Sequence, residues 1–421
     1  MTALRSRSQV SRIGFARVVV AVLAVFLAVA AQGVAAPATA APPGAGATVD
    51  DALRSLLQAD LEAYLQQRGA AEHASAVGVS VNLADRDSTI DAAAGTTTYG
   101  GSDPVRPDAL WQIGSNTKAF TSVLLLQLEA EGELSIDDPI GEWLPQYPQW
   151  GAVSIRRLLN MTSGIATYDE TPAFRADYTA DPQRELSPER LVGYVVDAPA
   201  TSGYSYSNTN YVLAEMLIEE VTGESYSHEL RTRLIEPLGL CDLYYRPHLY
   251  PSWVTDREPA GYYADDSKPE WLSMVGRDTS HDSLSWARGA GGIISTLEDM
   301  TRWERALYSG SLLPAEQQAE LLSLVSTQTG QPIERTSLDD PTAFGLGTAQ
   351  LTVPGLGTAW YYEGGTAGFR TLHVYLPESG VIVAFGANSA TADDQISLLL
   401  ESVVRTLVEQ GLVSLPGAAA A

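Results

Sequence analysis

Strand patterns lie at both ends of this chain, and a long stretch of mostly helical patterns separates them. Near the start, "AVGVSVNLA" (76–84) and "STIDAAAG" (88–95) predict two strands. Near the other end, "FRTLHVYLPESGVIVAFGAN" (369–388) predicts two more, joined by a tight turn at 378–380. Because strands need neighbours to satisfy their backbone groups, we expect both ends of the chain to meet in one antiparallel sheet.

Helices are predicted on either side of these strands. The segment "TKAFTSVLLLQLEAEG" (117–132) predicts a long buried helix that ends at Gly132. Apolar residues also recur at helical spacing near each end of the chain, at Leu53, Leu56, Leu57, Leu61, Tyr64 and Leu65, and at Ile396, Leu399, Leu400, Val403, Val404 and Leu407.

These patterns predict an α+β fold, with the sheet flanked by helices and a mainly helical insertion at approximately 134–286. We expect one domain over 75–415, preceded by a linker and an N-terminal helix at 41–74. No internal repeat is visible.

Residues 1–40 have the pattern of a secretory signal peptide. Four arginines precede an unbroken apolar run at 18–31, and the small residues of "VAAPATAA" follow, with cleavage options after Ala36 or Ala40. The apolar run is too short for a comfortable membrane span. The sequence therefore predicts a secreted protein with no stable membrane anchor after cleavage.

Charge and composition exclude several classes of partner. The net charge is −25, and removal of the four arginines in residues 1–40 takes it to about −29. Such an acidic surface repels nucleic acid and anionic membranes. Cys241 is the only cysteine, so no internal disulfide is possible, and the five histidines show no metal-ligand spacing. We expect no metal and no other cofactor.

Lysine is rare in this chain, and one of its two lysines follows a serine by three positions. Among 26 basic residues only Lys118 and Lys268 are lysines. If a helix starts at Ser115, positions i and i+3 share a face, which puts the Lys118 amine beside the serine hydroxyl. Burial and the helix dipole both disfavour an ammonium there, and a lysine can then act as a base, whereas an arginine cannot. Alone, Ser-x-x-Lys is a weak pattern.

Two further segments carry groups that suit hydrolytic chemistry. In "SGYSYSNTNYVLAEM" (202–216), Tyr206 and Asn208 lie in a polar loop just before a helix. A tyrosine relays protons if nearby cations lower its pKa, and the amide can bond both lysine and substrate. In "YYEGGTAGFRTLHVYLP" (361–377), Gly364 and Gly365 interrupt a strand, which often marks close backbone approach to a ligand. Exposed N–H groups there and at Ser115 would form an oxyanion hole.

In this order the segments resemble the serine β-lactamase and penicillin-binding superfamily, in particular its class C-like branch of D-alanyl-D-alanine carboxypeptidases and related esterases. The resemblance extends from about residue 75 to 410. It includes "SIRRLLNMTSGI" (154–165) and "GAGGIISTLEDMTRW" (289–303), which are similar to two further family segments. The resemblance implies the β-lactamase/transpeptidase-like fold and a small-molecule or peptide substrate, with a cell-wall peptide or a β-lactam as candidates.

The same resemblance implies roles for individual residues. Ser115 would be the nucleophile, Lys118 its activating base and Tyr206 a general acid and base. Asn208 would position the substrate amide, and the backbone N–H groups of Ser115 and Gly365 would bind the oxyanion.

One position departs from the family pattern. Where relatives usually carry Lys or His, then any residue, then Gly, this chain has Tyr362, Glu363 and Gly364. The cation that would help to hold a substrate carboxylate is missing, unless Arg370 further along compensates. We therefore expect Tyr362, Gly364 and Gly365 to contact substrate, with neutral esters or amides preferred over a peptide ending in a free carboxylate.

Two other classes compete with an acyl hydrolase of this type. A non-catalytic binder of penicillin or peptidoglycan on the same fold would have no need to retain Ser115, Lys118 and Tyr206 together. A Ser-His-Asp hydrolase is disfavoured because the chain lacks a G-x-S-x-G segment and a histidine in a suitable setting.

Overall fold

The computed structural model describes residues 48–246 and 248–414. The predicted signal peptide at 1–40 lies outside these described residues. Within them, no helix combines the length and the apolar character that crossing a membrane requires.

The strands are β1 (Ala76–Asn82), β2 (Thr89–Gly95), β3 (Leu110–Gln112), β4 (Leu243–Tyr245), β5 (Tyr262–Tyr263), β6 (Ile293–Thr296), β7 (Leu324–Ser326), β8 (Pro332–Ile333), β9 (Thr342–Phe344), β10 (Ala349–Val353), β11 (Gly357–Gly365), β12 (Arg370–Leu376), β13 (Val381–Ala387) and β14 (Ser389–Ala390).

The α-helices are α1 (Val49–Tyr64), α2 (Ala70–Glu72), α3 (Thr117–Glu131), α4 (Ile155–Leu159), α5 (Pro172–Ala180), α6 (Pro188–Gly193), α7 (Asn208–Thr222), α8 (Tyr226–Leu230), α9 (Glu236–Leu238), α10 (Ser252–Thr255), α11 (Arg288–Gly291), α12 (Leu297–Ser309), α13 (Ala315–Leu321) and α14 (Ile396–Glu409).

The predicted sheet from both chain ends is confirmed. Its nine strands run in the order β2-β1-β13-β12-β11-β10-β9-β7-β8, with antiparallel pairing between neighbours. Strand β1 from the start of the chain pairs with β13 from its end, and the predicted turn joins β12 to β13. The sequence patterns do not predict the strands β7 to β10, between residues 324 and 353.

Two glycines on the neighbouring strands β1 and β13 make room for a tryptophan. Gly78 and Gly386 lie opposite each other across β1 and β13. A Cβ atom would lie 3.1 Å from the Trp111 ring at Gly78 and 2.6 Å from it at Gly386. Trp111 is only 1% exposed, so the sheet holds the strand that leads into Ser115 by close packing.

Helices cover the sheet as expected. The first and last helices, α1 and α14, pack against each other, and α1 also packs on β2, so the N-terminal helix shares the core of the domain. Helix α12 packs on β1 and β13. The regular secondary structure of the segment 134–286 is mainly helical, with only β4 and β5 as strands among its described residues.

Helix α3 is the buried helix predicted from "TKAFTSVLLLQLEAEG". Every residue from Thr117 to Leu126 is buried, and the helix ends at Gly132, whose φ of 81° suits a residue without a Cβ atom. It contacts α7, α8, α11 and α13, which is why its sequence is apolar on nearly every side. This central helix carries Lys118 in its first turn.

Candidate active site

Ser115 lies in a 3₁₀ turn, Gly114–Asn116, that leads directly into α3. The turn presses against the end of β11, because a Cβ atom at Gly114 would lie 2.5 Å from the Gly365 nitrogen. Gly114 also has a φ of 51°, a region that favours glycine. Ser115 remains partly exposed, whereas Lys118 is fully buried.

Two side chains reach the Ser115 hydroxyl. The Lys118 amine lies 2.9 Å from Oγ, and the Tyr206 hydroxyl donates to the same atom over 2.7 Å. The i, i+3 spacing of Ser115 and Lys118 therefore brings their polar atoms together as expected. Tyr206 comes from the loop before α7, and its approach depends on the tertiary fold.

The Lys118 amine has two other acceptors. Asn208 Oδ1 lies 2.8 Å away and the Ala290 carbonyl 2.7 Å away. Burial lowers the pKa of Lys118 to about 7, and the carboxylate of Asp169 opposes this shift. Near neutral pH, a large fraction of this amine is thus unprotonated.

Geometry then decides where the lone pair of the neutral amine points. A neutral amine has two N–H bonds, and Asn208 Oδ1 and the Ala290 carbonyl accept them. The remaining lone pair faces Ser115 Oγ. The arrangement can withdraw the proton of the serine hydroxyl.

The proton relay expected from the sequence requires nearby cations that lower the pKa of Tyr206, and the structure shows the opposite shift. Burial raises its pKa, although Lys118 Nζ lies 4.9 Å from the ring centroid and Ser115 and Tyr362 contact its hydroxyl. The phenol is therefore protonated at neutral pH and acts as a donor. Of the two side chains on Ser115, Lys118 is the one suited to be the base.

Asn208 links Lys118 to an acid that the sequence did not indicate. Its Oδ1 accepts from Lys118, while its Nδ2 donates to Asp169 Oδ2 over 3.0 Å. The hydroxyl of Thr167 also donates to Asp169. The amide that was expected to position substrate is thus oriented by Asp169 so that its oxygen faces the lysine.

The glycines of the third segment have different surroundings. A Cβ atom at Gly364 would lie 1.9 Å from the Ile113 carbonyl, so the close approach there is to the chain's own backbone and not to a ligand. At Gly365 the nearest atom would be 4.0 Å away, and the residue is exposed. Gly365 therefore leaves open space beside Ser115, where a substrate carbonyl can lie.

Arg370 does not compensate for the missing cation. Across β11 and β12, Tyr362 lies opposite His373 and Gly365 opposite Arg370, so Tyr362 and Arg370 point to opposite faces of the sheet. The Arg370 guanidinium donates to Glu72 over 2.7 Å and also to Asp394. It belongs to a buried ion-pair cluster behind the sheet.

Glu363 follows Tyr362 directly in β11, so its side chain points to the opposite face of the sheet, the face that carries Arg370. It therefore does not add a charge beside Tyr362. Burial and Asp394 raise its pKa to about 8, and Arg370 opposes the shift. Tyr362 is itself buried, and its hydroxyl donates to Tyr206 over 3.5 Å.

A cluster of aromatic side chains lies next to Ser115. Phe344 lies 5.6 Å from Tyr362, 6.4 Å from Tyr206 and 5.7 Å from Tyr204, between ring centroids. This aromatic cluster is therefore composed of neutral side chains. Among the predicted site residues, Ser115, Lys118, Tyr206, Asn208 and Tyr362 lie together, with Gly364 and Gly365 at the adjoining strand end.

Comparison with known proteins places this geometry in context. The family model described as Beta-lactamase matches residues 55–401. Penicillin-binding protein 4* of Bacillus subtilis is 28% identical over 279 residues, which cover 64% of this chain and 59% of that protein. AmpH of Escherichia coli K12, a D-alanyl-D-alanine-carboxypeptidase/endopeptidase, is 23% identical over 316 residues, 73% of this chain and 78% of that protein. The chain spans 52–59% of the length of three of the curated relatives that it matches.

A solved structure covers more of the chain. The D-stereospecific amidohydrolase from Streptomyces sp. superposes with a TM-score of 0.69 at 28% identity, over 83% of this chain and 98% of that chain.

Proposed function

This chain belongs to the β-lactamase family, and we propose that it is a serine hydrolase that cleaves an ester or amide through an acyl-enzyme on Ser115. One observation carries the proposal: a buried amine with a pKa of about 7 and a protonated phenol both lie within hydrogen-bond distance of a partly exposed serine hydroxyl. Nucleophilic catalysis by serine requires such a neighbouring base.

In the proposed first half-reaction, Lys118 accepts the hydroxyl proton as Ser115 Oγ attacks the substrate carbonyl. The negative charge develops on the carbonyl oxygen, where the backbone N–H groups of Ser115 and Gly365 would donate. Tyr206 gives its proton to the departing oxygen or nitrogen and regains one from the Lys118 ammonium. Water then enters, and the same groups transfer protons in the reverse direction to release the acid and free Ser115.

The substrate class follows from the charges near Ser115. A free carboxylate that leaves water needs a cation or several donors to offset its desolvation. Tyr362 stands where relatives usually carry a cation, and Arg370 is bound to Glu72 on the other face of the sheet. We therefore propose neutral esters or amides as substrates, with weak D-Ala-D-Ala carboxypeptidase and β-lactamase activity. We include an amide of a D-amino acid among the candidate substrates because one similar protein is a D-stereospecific amidohydrolase.

A substrate panel tests this proposal. It contains a nitrophenyl ester, a D-amino acid amide, a peptide ending in D-Ala-D-Ala and a penicillin, with kcat/KM measured for each. The proposal predicts the highest values for the ester or the amide. A preference for the D-Ala-D-Ala peptide would contradict the substrate class, and a lasting penicillin adduct without any turnover would favour the alternative of a non-catalytic binding protein.

We also propose that the protein is secreted, because residues 1–40 have the order of a signal peptide: arginines, an apolar run, then small residues. N-terminal sequencing of the protein exported by its native host should find a start after Ala36 or Ala40. Recovery of the intact N-terminus from cell membranes would contradict secretion.

A further inference from the structure

The carbonyl of Ala290 that accepts from Lys118 belongs to a segment with a strained backbone. Arg288, two positions earlier, has a φ of 42°, a left-handed conformation that is costly for a residue with a side chain. Such conformations persist only where the surrounding structure enforces them, and they cluster at functional sites. Arg288 is 7% exposed, so its side chain is held inside the protein.

Glu215 is one of the residues that hold this segment, and the Leu186 carbonyl also accepts from the Arg288 guanidinium, over 2.9 Å. Its Oε1 accepts from the Arg288 guanidinium over 3.2 Å, and its Oε2 accepts from the Gly289 N–H over 2.6 Å. The hydroxyl of Tyr245 also donates to Oε2, over 3.1 Å. Glu215 is 1% exposed, so these donors take the place of the water molecules that would otherwise bind its carboxylate.

The position of Glu215 in its helix relates it to Lys118. Glu215 follows Asn208 by seven residues in α7, and this spacing puts both side chains on one face. Asn208 contacts the Lys118 amine directly, while Glu215 contacts the segment that presents the Ala290 carbonyl to the same amine. One helix thus fixes both acceptors of Lys118.

Helix α3 holds the same segment from the other side. The Thr121 hydroxyl donates to the Gly289 carbonyl over 2.7 Å, and it lies 2.8 Å from the Tyr226 hydroxyl. Thr121 follows Lys118 by three positions, one turn along α3. The peptide groups on both sides of Gly289 are therefore anchored.

We propose that Glu215 is a positioning residue, which through Arg288 and Gly289 holds the Ala290 carbonyl against the Lys118 amine and so sets the proton affinity and the orientation of that amine. The catalytic consequence rests on the proposed function, in which Lys118 is the base. The positioning itself does not rest on the proposed function, because the contact between the Ala290 carbonyl and the Lys118 amine exists without substrate.

The sign of the effect follows from electrostatics. A carbonyl oxygen stabilises an ammonium more than a neutral amine, so loss of the Ala290 contact lowers the pKa of Lys118. The other groups that face this amine are the rings of Tyr206 and Tyr211 and the carboxylate of Asp169. They are unchanged in a Glu215 variant.

Charged and titratable groups around Glu215 itself are Arg288, Tyr245, Tyr226, Tyr168 and Glu219. Replacement by glutamine keeps the shape but offers one oxygen to three donors, so Gly289 or Arg288 loses its hydrogen bond to residue 215, and Arg288 keeps only the Leu186 carbonyl as an acceptor.

The rarity of lysine gives a direct measurement. Protein labelled with ¹³C-lysine contains only Lys118 and Lys268 as labelled residues, so the Cε shift of each can be followed against pH. The half-exposed Lys268, paired with Asp265, serves as the internal reference. We compare Glu215→Gln, Thr121→Val and, as the matched control, Glu220→Gln, an exposed position of the same helix.

In Glu215→Gln the titration of Lys118 should move down by about one pH unit, the scale of one hydrogen bond to a charged group. On the best substrate of the panel, kcat should fall about tenfold while KM stays within about twofold. Thr121→Val should change both quantities in the same direction, and Glu220→Gln should change neither.

Folded Glu215→Gln and Thr121→Val proteins with the native Lys118 titration would overturn the positioning role. If Glu215→Gln does not fold, Thr121→Val alone decides, because it removes one hydroxyl and leaves the buried ion pair in place. A native protein that hydrolyses nothing in the panel would overturn the proposed function instead, and the lysine titration would still decide the positioning role.

Discussion

The buried amine of Lys118 lies 2.9 Å from the hydroxyl of the partly exposed Ser115. The base is hidden from water while the nucleophile can be reached by a substrate. This relationship accounts for a lysine at this position in a chain whose basic residues are nearly all arginine, because a lysine can be neutral here near pH 7 and an arginine cannot.

Hydrolysis should therefore be lost as the pH falls through about 7. The folded-state pKa of Lys118 lies below its ordinary value, so the neutral amine predominates above about 7 and the inactive ammonium below it. The pH dependence of kcat/KM for a neutral ester reports this value for the free enzyme. An acid limb near 10.5, the ordinary value for lysine, would show that burial does not activate the amine.

Replacement of Lys118 by arginine should be nearly as damaging as replacement by alanine. The guanidinium retains the charge but does not deprotonate near neutral pH, so no base remains beside Ser115. Acylation rates of Lys118→Arg and Lys118→Ala, with Lys268→Arg as the control for loss of a lysine, make the comparison. An arginine variant that acylates like the native enzyme would mean that Lys118 supplies charge and not basicity.

Tyr362→His should shift the ratio of kcat/KM towards substrates with a free carboxylate by roughly tenfold, the scale of one charge-assisted contact. The imidazole adds a nitrogen donor at the position where the family pattern usually has Lys or His. Tyr362→Phe removes the hydroxyl without adding a donor and is the matched control. If the phenylalanine variant shifts the ratio as far as the histidine variant, charge at this position is not the cause.

Arg370 should matter for stability and not for substrate binding. Glu72 is fully buried, and Arg370→Met removes one of its two ion-pair partners and leaves only Arg68, a loss that we expect to cost about 3 kcal/mol. Arg54→Met, which breaks an exposed ion pair with Asp51, should leave the denaturation midpoint unchanged. Urea denaturation measures both variants. The opposite result would be an Arg370→Met enzyme with native stability and a raised KM for the D-Ala-D-Ala peptide. That result would mean that Arg370 contacts the substrate.

Much of the fold follows from local sequence patterns. Helix α3 and the pair β12 and β13 are long and bounded by clear turn residues such as Gly132 and Gly380, so their sequences predict them. The strands β7 to β10 have only two to five residues each, too short for an alternating pattern to stand out. Their place in the sheet is decided by tertiary packing.

The site divides in the same way. Ser115 and Lys118 are three positions apart, so helical geometry alone brings them together. The Ala290 carbonyl is 172 positions from Lys118, and a backbone group carries no signal in residue type. Asp169 contacts Asn208 across 39 positions, and helices α5 and α6 lie between them in the chain. The orientation of Arg370 required the register of β11 and β12, which side-chain alternation alone does not fix.

The central claim is a covalent acyl-enzyme on Ser115, and intact-mass spectrometry tests it most directly. The native protein and Ser115→Ala are each mixed with a nitrophenyl ester and with a penicillin, quenched in acid and weighed, and the modified peptide is then sequenced. The account predicts a mass increase of one acyl group on Ser115 of the native protein, and neither adduct nor turnover in a folded Ser115→Ala. Hydrolysis by Ser115→Ala above a trace, or an adduct on another residue, would contradict it.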